Sequence, residues 1–173
     1  MKGDFSRLTF DPARGFTQVL RQQGRVDIDA DWNEQQAIHS HLDRTARRDM
    51  IGPSGAPIAN AGFEVGLLEG LMLGAGRFYV QGQLVELAAP VALADQPYLG
   101  GLSPYLNSNG NPVATPTSGR YLFFLETWDH HTTAVEVPSL KEKALGGPDT
   151  TTRLQTVWRV RALRIGSPGG SEH

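Results

Sequence analysis

The chain has 173 residues, a net charge of −2 and no cysteine: room for one domain, or one domain with arms, but not for disulfides or cysteine zinc sites, as in a protein made in the cytoplasm. The near-neutral charge gives no global electrostatic reason to expect nucleic acid or an anionic membrane as partner. With 20 glycines and 11 prolines the composition favours many short strands over a helical bundle, no apolar run approaches the roughly 20 residues of a membrane span, and Met1-Lys2-Gly3-Asp4 lacks the apolar core of a signal peptide.

Residues 1–23 carry Phe5, Leu8, Phe10, Phe16, Val19 and Leu20 among turn residues, with Asp11-Pro12 marking a turn. Aromatic residues spread along a segment of little regular pattern read as an extended arm. The arm docks either on its own domain or on a neighbouring subunit.

The stretch from Gly24 to Pro53 organises the chain. Val26, Ile28 and Ala30 alternate with Asp27, Asp29 and Asp31. That period of two predicts a short strand with carboxylates on one face. A long helix follows, over about residues 31–50. Asp31-Trp32-Asn33-Glu34 has the form of a capping box. Arg44, Arg47 and Arg48 sit near the negative end of the helix dipole, and Gly52-Pro53 is a stop signal. The apolar stripe is thin: Ile38, Leu42, Ala46 and Met50 step by four, with Trp32 near the start. A narrow seam suits a helix laid across its own sheet, or one facing its symmetry mates.

The second half reads as strands and turns. Residues 54–70 predict a loop and a short strand with Phe63, Val65 and Leu67. Leu71-Met72-Leu73 leads into a hairpin whose tight turn is Gln81-Gly82-Gln83. Residues 88–94 continue as an edge strand limited by Pro90. Residues 95–119 are polar and rich in glycine, proline and asparagine, which predicts a long exposed loop available to a partner. Residues 120–128 form the strongest strand, apolar enough for burial on both faces. Asp129-His130-His131 is expected to turn, with residues 132–137 returning. A connector at 138–149 includes a short helix at 139–145. In the last strand, 154–165, Val157, Arg159 and Arg161 share one face and Trp158, Val160 and Ala162 the other. Residues 166–173 read as a flexible linker or tail, with either further protein or a disordered end expected there. The expected fold class is α+β: a β-rich body of short antiparallel strands over 24–165, one long helix, and an extended N-terminal arm.

No constellation predicts catalysis. Asp27, Asp29 and Asp31 could gather oxygens for a hard cation, but the glycine and distal glutamate of a calcium loop are missing, and capping fits them better. Asp129-His130-His131 resembles the aspartate and histidines of metal-dependent phosphoesterases without the further ligands those enzymes need. His39 and His41 are two apart on the helix and do not share a face. There is no nucleophile elbow, phosphate loop or metalloprotease helix, and Gly146-Gly147-Pro148-Asp149 reads as a turn. The expectation is a non-enzyme with no cofactor and no metal. The arginines at 44, 47, 48, 153, 159, 161 and 164 form solvated faces or meet acidic patches of partner subunits.

Four pieces together resemble one family. They are Met1-Lys2-Gly3-Asp4-Phe5-Ser6-Arg7 with Phe10-Asp11-Pro12; Gln23-Gly24-Arg25-Val26 with Asp29-Ala30-Asp31-Trp32-Asn33-Glu34; Gly76-Arg77-Phe78-Tyr79-Val80 with Gly82; and Ala144-Leu145-Gly146-Gly147-Pro148-Asp149-Thr150 running on to Val157-Trp158. This set resembles the uncharacterised N-terminal domain of large proteins encoded beside phage-tail-like contractile injection systems and phage tail genes. Where that family tends to carry an arginine-containing turn after the strand tryptophan, this chain has Asp129-His130-His131. The glycine-flanked hairpin is also similar to those of tail baseplate and fibre proteins, which are often trimeric. The resemblance implies a structural attachment or assembly module of a contractile tail-like particle, made in the cytoplasm and assembled into a particle that can be released. Its partners would be other particle subunits and further copies of itself, a trimer being favoured, with surface glycan reached through downstream modules. The alternative is a carbohydrate- or surface-binding module of a tail fibre or exported protein. The residues expected to meet partners are Phe5, Phe10, Phe16, Trp32, Ile38, Leu42, Arg44 and Arg48.

Overall fold

The computed structural model describes residues 3–66 and 71–166. One long helix, α1 (Asp29–Ile51), precedes a series of mostly short strands: β1 (Ser54–Gly55), β2 (Val65–Gly66), β3 (Met72–Leu73), β4 (Gly76–Val80), β5 (Gln83–Leu87), β6 (Val91–Ala92), β7 (Tyr105–Leu106), β8 (Arg120–Thr132) and β9 (Arg153–Gly166). The fold is α+β and strand-rich, with an irregular N-terminal arm that contains a short helical turn at Pro12–Arg14. Two compact units divide the chain. A helix-and-arm unit comprises Met1–Gly55, Tyr79–Gln83 and His131–Gln155, and a sheet unit comprises Ala56–Phe78, Leu84–His130 and Thr156–His173.

In the helix-and-arm unit, α1 begins two residues earlier than its capping-box pattern predicts. Ile28 is the N-cap and makes no side-chain cap bond. The capping box does not form: Asp31 lies within the first helical turn, not at the N-cap, and Glu34 accepts from the Thr9 hydroxyl instead. The expected strand at 26–30 is also absent. Val26 is 86% exposed, and Asp29 and Asp31 lie in the first helical turn, where carboxylates complement the positive end of the dipole. The alternation of acids therefore marks a helix start. At the other end the helix stops at the expected glycine: Gly52 takes φ +93° and ψ −170°, an extended conformation distinct from the left-handed cap, and its N–H donates to the Arg48 carbonyl.

The tip of the β4–β5 hairpin belongs to the same unit. Gln81 and Gly82 have φ of 51° and 75°, the two positive values a tight hairpin turn requires. Gln81 N–H donates to Pro53 O at 2.8 Å, and Arg47 Nη1 donates to Gly82 O at 3.2 Å. A Cβ on Gly82 would run into the Arg44 carbonyl, so this tip lies directly on α1. β1 pairs antiparallel with Tyr79 and Val80 beside it.

The sheet unit holds the hydrophobic core. Phe63, Leu73, Val85, Leu93, Trp158 and Val160 pack together, with Phe63 edge-on to Trp158 at 4.9 Å between ring centroids. β2, β3 and β6 form an antiparallel sheet, Val65 opposite Leu73 and Leu73 opposite Val91. In the third sheet β9 lies between β7 and β8, and β7 runs parallel to it with Tyr105 opposite Ala162. Gly119 approaches Gly166 while Glu126 meets Arg159, so β8 and β9 run in opposite directions. The alternation read along β9 is present: Trp158, Val160 and Ala162 are buried, and Arg159 and Arg161 face Glu126 instead.

Three expected segments differ. Residues 95–119 are not one exposed loop: Gln96, Leu99 and Leu106 are buried, and β7 lies within the segment. The signal was weak because only isolated apolar residues anchor it. Asp129-His130-His131 does not turn but continues β8 to Thr132, and the chain reverses in the following residues, where Glu136 and Val137 N–H donate to Thr133 O. The helix expected at 139–145 is two separate turns, Pro138–Leu140 and Lys143–Leu145, the second ended by Gly146 in the left-handed region. Leu67 of the expected strand at 54–70, and the linker beyond Gly166, lie outside the described residues.

Candidate interaction surface

The arm is tied to α1 by hydrogen bonds from its own backbone and hydroxyls. Ser6 N–H and Oγ donate to the two Asp29 oxygens at 2.9 and 2.5 Å. The Ser6 hydroxyl, and then its N–H, hold the Asp29 carboxyl below the ordinary aspartate range. Thr9 donates to Glu34, and Phe10 tilts against His41 at 5.6 Å between ring centroids. The chain then turns back, and Val19 N–H donates to Gln35 Oε1 at 2.7 Å, with Gln35 also bonded to His39 at 2.8 Å. Phe5 lies 6.0 Å from His131, and Arg14 sits over the Phe16 ring at 4.4 Å. The arm therefore docks within its own unit. Several of its apolar side chains do not: Leu8, Phe16 and Leu20 remain exposed.

The expected contact residues fall on different faces. Ile38 is 1% exposed and belongs to the chain's own packing. Trp32 is 59%, Leu42 46% and Met50 78% exposed, and Ala46 is exposed with them. The physical reason lies in helix geometry. Steps of four overshoot a turn by about 40°, so a row of three steps winds about 120° around the axis. Ile38 starts that row on the buried side and Met50 ends it in solvent. The straight face is instead spaced by threes and fours: Trp32, Gln35, His39, Leu42, Ala46, Met50. Arg48 is exposed beside Asp49, while Arg44 is half-buried where the hairpin tip meets α1. Arg47 pairs with Asp43 along the helix.

The two units share the exposed apolar surface unequally: the sheet unit leaves Ile58, Leu122 and Ile165 more than half uncovered, and the helix-and-arm unit leaves more. Ile38, Leu73, Leu93, Val85 and Val157 are the largest fully buried side chains, and of these only Ile38 belongs to the helix-and-arm unit. The same unit exposes Leu20, Val26, Trp32, Met50, Val135 and Leu154, each more than half uncovered. Its interior is thin and its surface apolar.

Elsewhere several charged side chains pair with one another. Glu126 receives Arg159 and Arg161, and Arg159 also lies 5.3 Å over the Trp128 ring. Two of the basic residues of β9 are thus committed within the sheet unit, and Arg164 donates to Ser118 O. Among the described residues no group of three or more histidine, aspartate or glutamate side chains is placed to hold a metal ion. Among the same residues no helix is long and apolar enough to cross a membrane.

A family model matches residues 1–169. The chain belongs to the Family of unknown function (DUF6519). The match spans both units, so the arm, α1 and the sheets are all parts of the DUF6519 domain. No curated protein and no solved structure matches the chain. The DUF6519 name carries no chemistry, so a functional reading rests on this surface and on the resemblance described above.

Proposed function

We propose that this chain is a non-catalytic assembly and attachment module of a phage-tail-like contractile injection particle, made in the cytoplasm and built into the particle through its helix-and-arm unit. The observation that carries the reading is the apolar surface of that unit. Exposed apolar patches beyond a few hundred Å² usually mark interaction sites. Fully covering a leucine, methionine or aromatic side chain is worth about 1.5–3 kcal/mol relative to leaving it in water. Trp32, Leu42 and Met50 on one helix face therefore represent several kcal/mol available to a partner. The particle itself is inferred from the resemblance. A surface-binding module is supported less well, since residues 95–119, expected as an exposed loop available to a partner, bury Leu99 and Leu106.

Quantitative mass spectrometry of contractile particles purified from the source cells tests the proposal. A fixed copy number of this chain per particle is the expected result. Its absence from intact particles contradicts the reading.

A further inference from the structure

We infer that the exposed face of α1 docks on the same face of a second copy of this chain, with the two helices antiparallel about a two-fold axis near residue 41. This deepens the assembly reading by naming the partner of its helix face. Three observations argue for it.

The face is self-complementary in spacing. Trp32 lies nine residues before position 41 and Met50 nine after; Gln36 and Ala46 lie five to either side; His39 and Asp43 lie two to either side. An antiparallel pair therefore sets each Trp32 ring against a partner Met50 thioether, a favourable sulfur–aromatic contact, and each His39 against a partner Asp43. The small Ala46 lets the backbones approach opposite Gln36.

Charge along the helix, more than contacts across the seam, favours one direction. Residues 29–40 of the helix carry three carboxylates and no lysine or arginine, whereas residues 41–51 carry three arginines and two aspartates. Antiparallel packing sets the acidic half against the net-basic half and opposes the two helix dipoles. Parallel packing, as in a three-fold cluster, stacks the acidic halves on one another and brings Asp43 to Asp43.

The patch is continuous with the arm. Val19 N–H is bonded to Gln35 on the edge of the face, which brings the exposed Leu20, 75% uncovered, alongside it. The arm thus widens a seam that one helix face alone would leave narrow. An isologous contact of this kind closes on itself as a dimer.

The absence of cysteine makes a clean test possible. Gln36→Cys and Ala46→Cys are single changes at exposed helix positions, checked for folding by circular dichroism. Each full-length variant is oxidised alone and then mixed with the other. The two-fold arrangement predicts a covalent dimer in the mixture and little in either variant alone, since like positions lie about 15 Å apart along the axis. Sedimentation velocity of the unsubstituted chain should show a concentration-dependent dimer that Leu42→Asp converts to monomer. Strong self-linking of either variant alone, a trimer, or a monomer at every concentration overturns the inference. Any of these outcomes leaves the assembly reading standing if the chain is found in purified particles. Absence from particles with a two-fold dimer intact would do the reverse.

Discussion

Single residues decide how the arm and the hairpin tip are held. Asp29 accepts two hydrogen bonds from Ser6, and these keep its carboxyl below the ordinary range. A carboxylate depressed by folding favours the docked arm at all pH values above the ordinary aspartate range, and that contribution is lost as pH falls through its lowered value. The Ser6 amide resonance should therefore titrate with a midpoint below that of a free aspartate, and Asp29→Ala should remove the transition and speed proteolysis within the arm. A Ser6 amide insensitive to acid contradicts this account. Gly82 carries two constraints, a positive φ of 75° and the Arg44 carbonyl in the space of a side chain. Gly82→Ala should cost about 1–3 kcal/mol from each, read as a lowered midpoint in denaturant. Gln81 occupies the left-handed region without being glycine, so Gln81→Asn should stabilise by a few tenths to about 1 kcal/mol.

At the scale of elements, one buried polar side chain links segments of the sheet unit. Gln96 donates to Leu93 O at 2.6 Å and Val160 O at 2.9 Å, and accepts from Val160 N–H at 2.5 Å. Gln96→Leu leaves these backbone groups orphaned, at about 1–3 kcal/mol for each buried group. A thermal midpoint unchanged by that substitution would show that water replaces the amide. Gln96 sits in a stretch that reads as exposed loop, because a single anchoring amide leaves no periodic trace. Periodicity served better where many residues repeat it: the helix, the hairpin and the two faces of β9 were legible, though Gln83 begins β5 and is not part of the turn. The buried face of α1 was half legible. Ile38 and Met50 belong to one row spaced by fours but not to one side of the helix, and the drift of that row separates core from surface. The acids at 27, 29 and 31 misled for a related reason: alternation has the same form in a strand and in a segment entering a helix, and the deciding partner, Ser6, lies 23 residues away.

Across the whole molecule the two units differ in what holds them. The sheet unit has a clustered core of Phe63, Leu73, Val85, Leu93, Trp158 and Val160. The helix-and-arm unit relies on Ile38, small residues, hydrogen bonds to the arm and the hairpin tip. Ile38→Ala should cost about 2–5 kcal/mol and loosen α1 before the sheets. In the dilute chain, amide exchange should accordingly be faster along α1 than along β8 and β9. A unit with a thin interior and an apolar exterior gains stability when a partner covers it, as the proposed assembly role requires. The most direct test is oxidative footprinting of Trp32 and Met50, side chains that react readily when exposed, in the dilute free chain and in purified contractile particles. Strong oxidation of both in the free chain and protection of both in the particle is the predicted result. Equal oxidation in the two states would contradict the account, because the helix face would then remain in solvent after assembly.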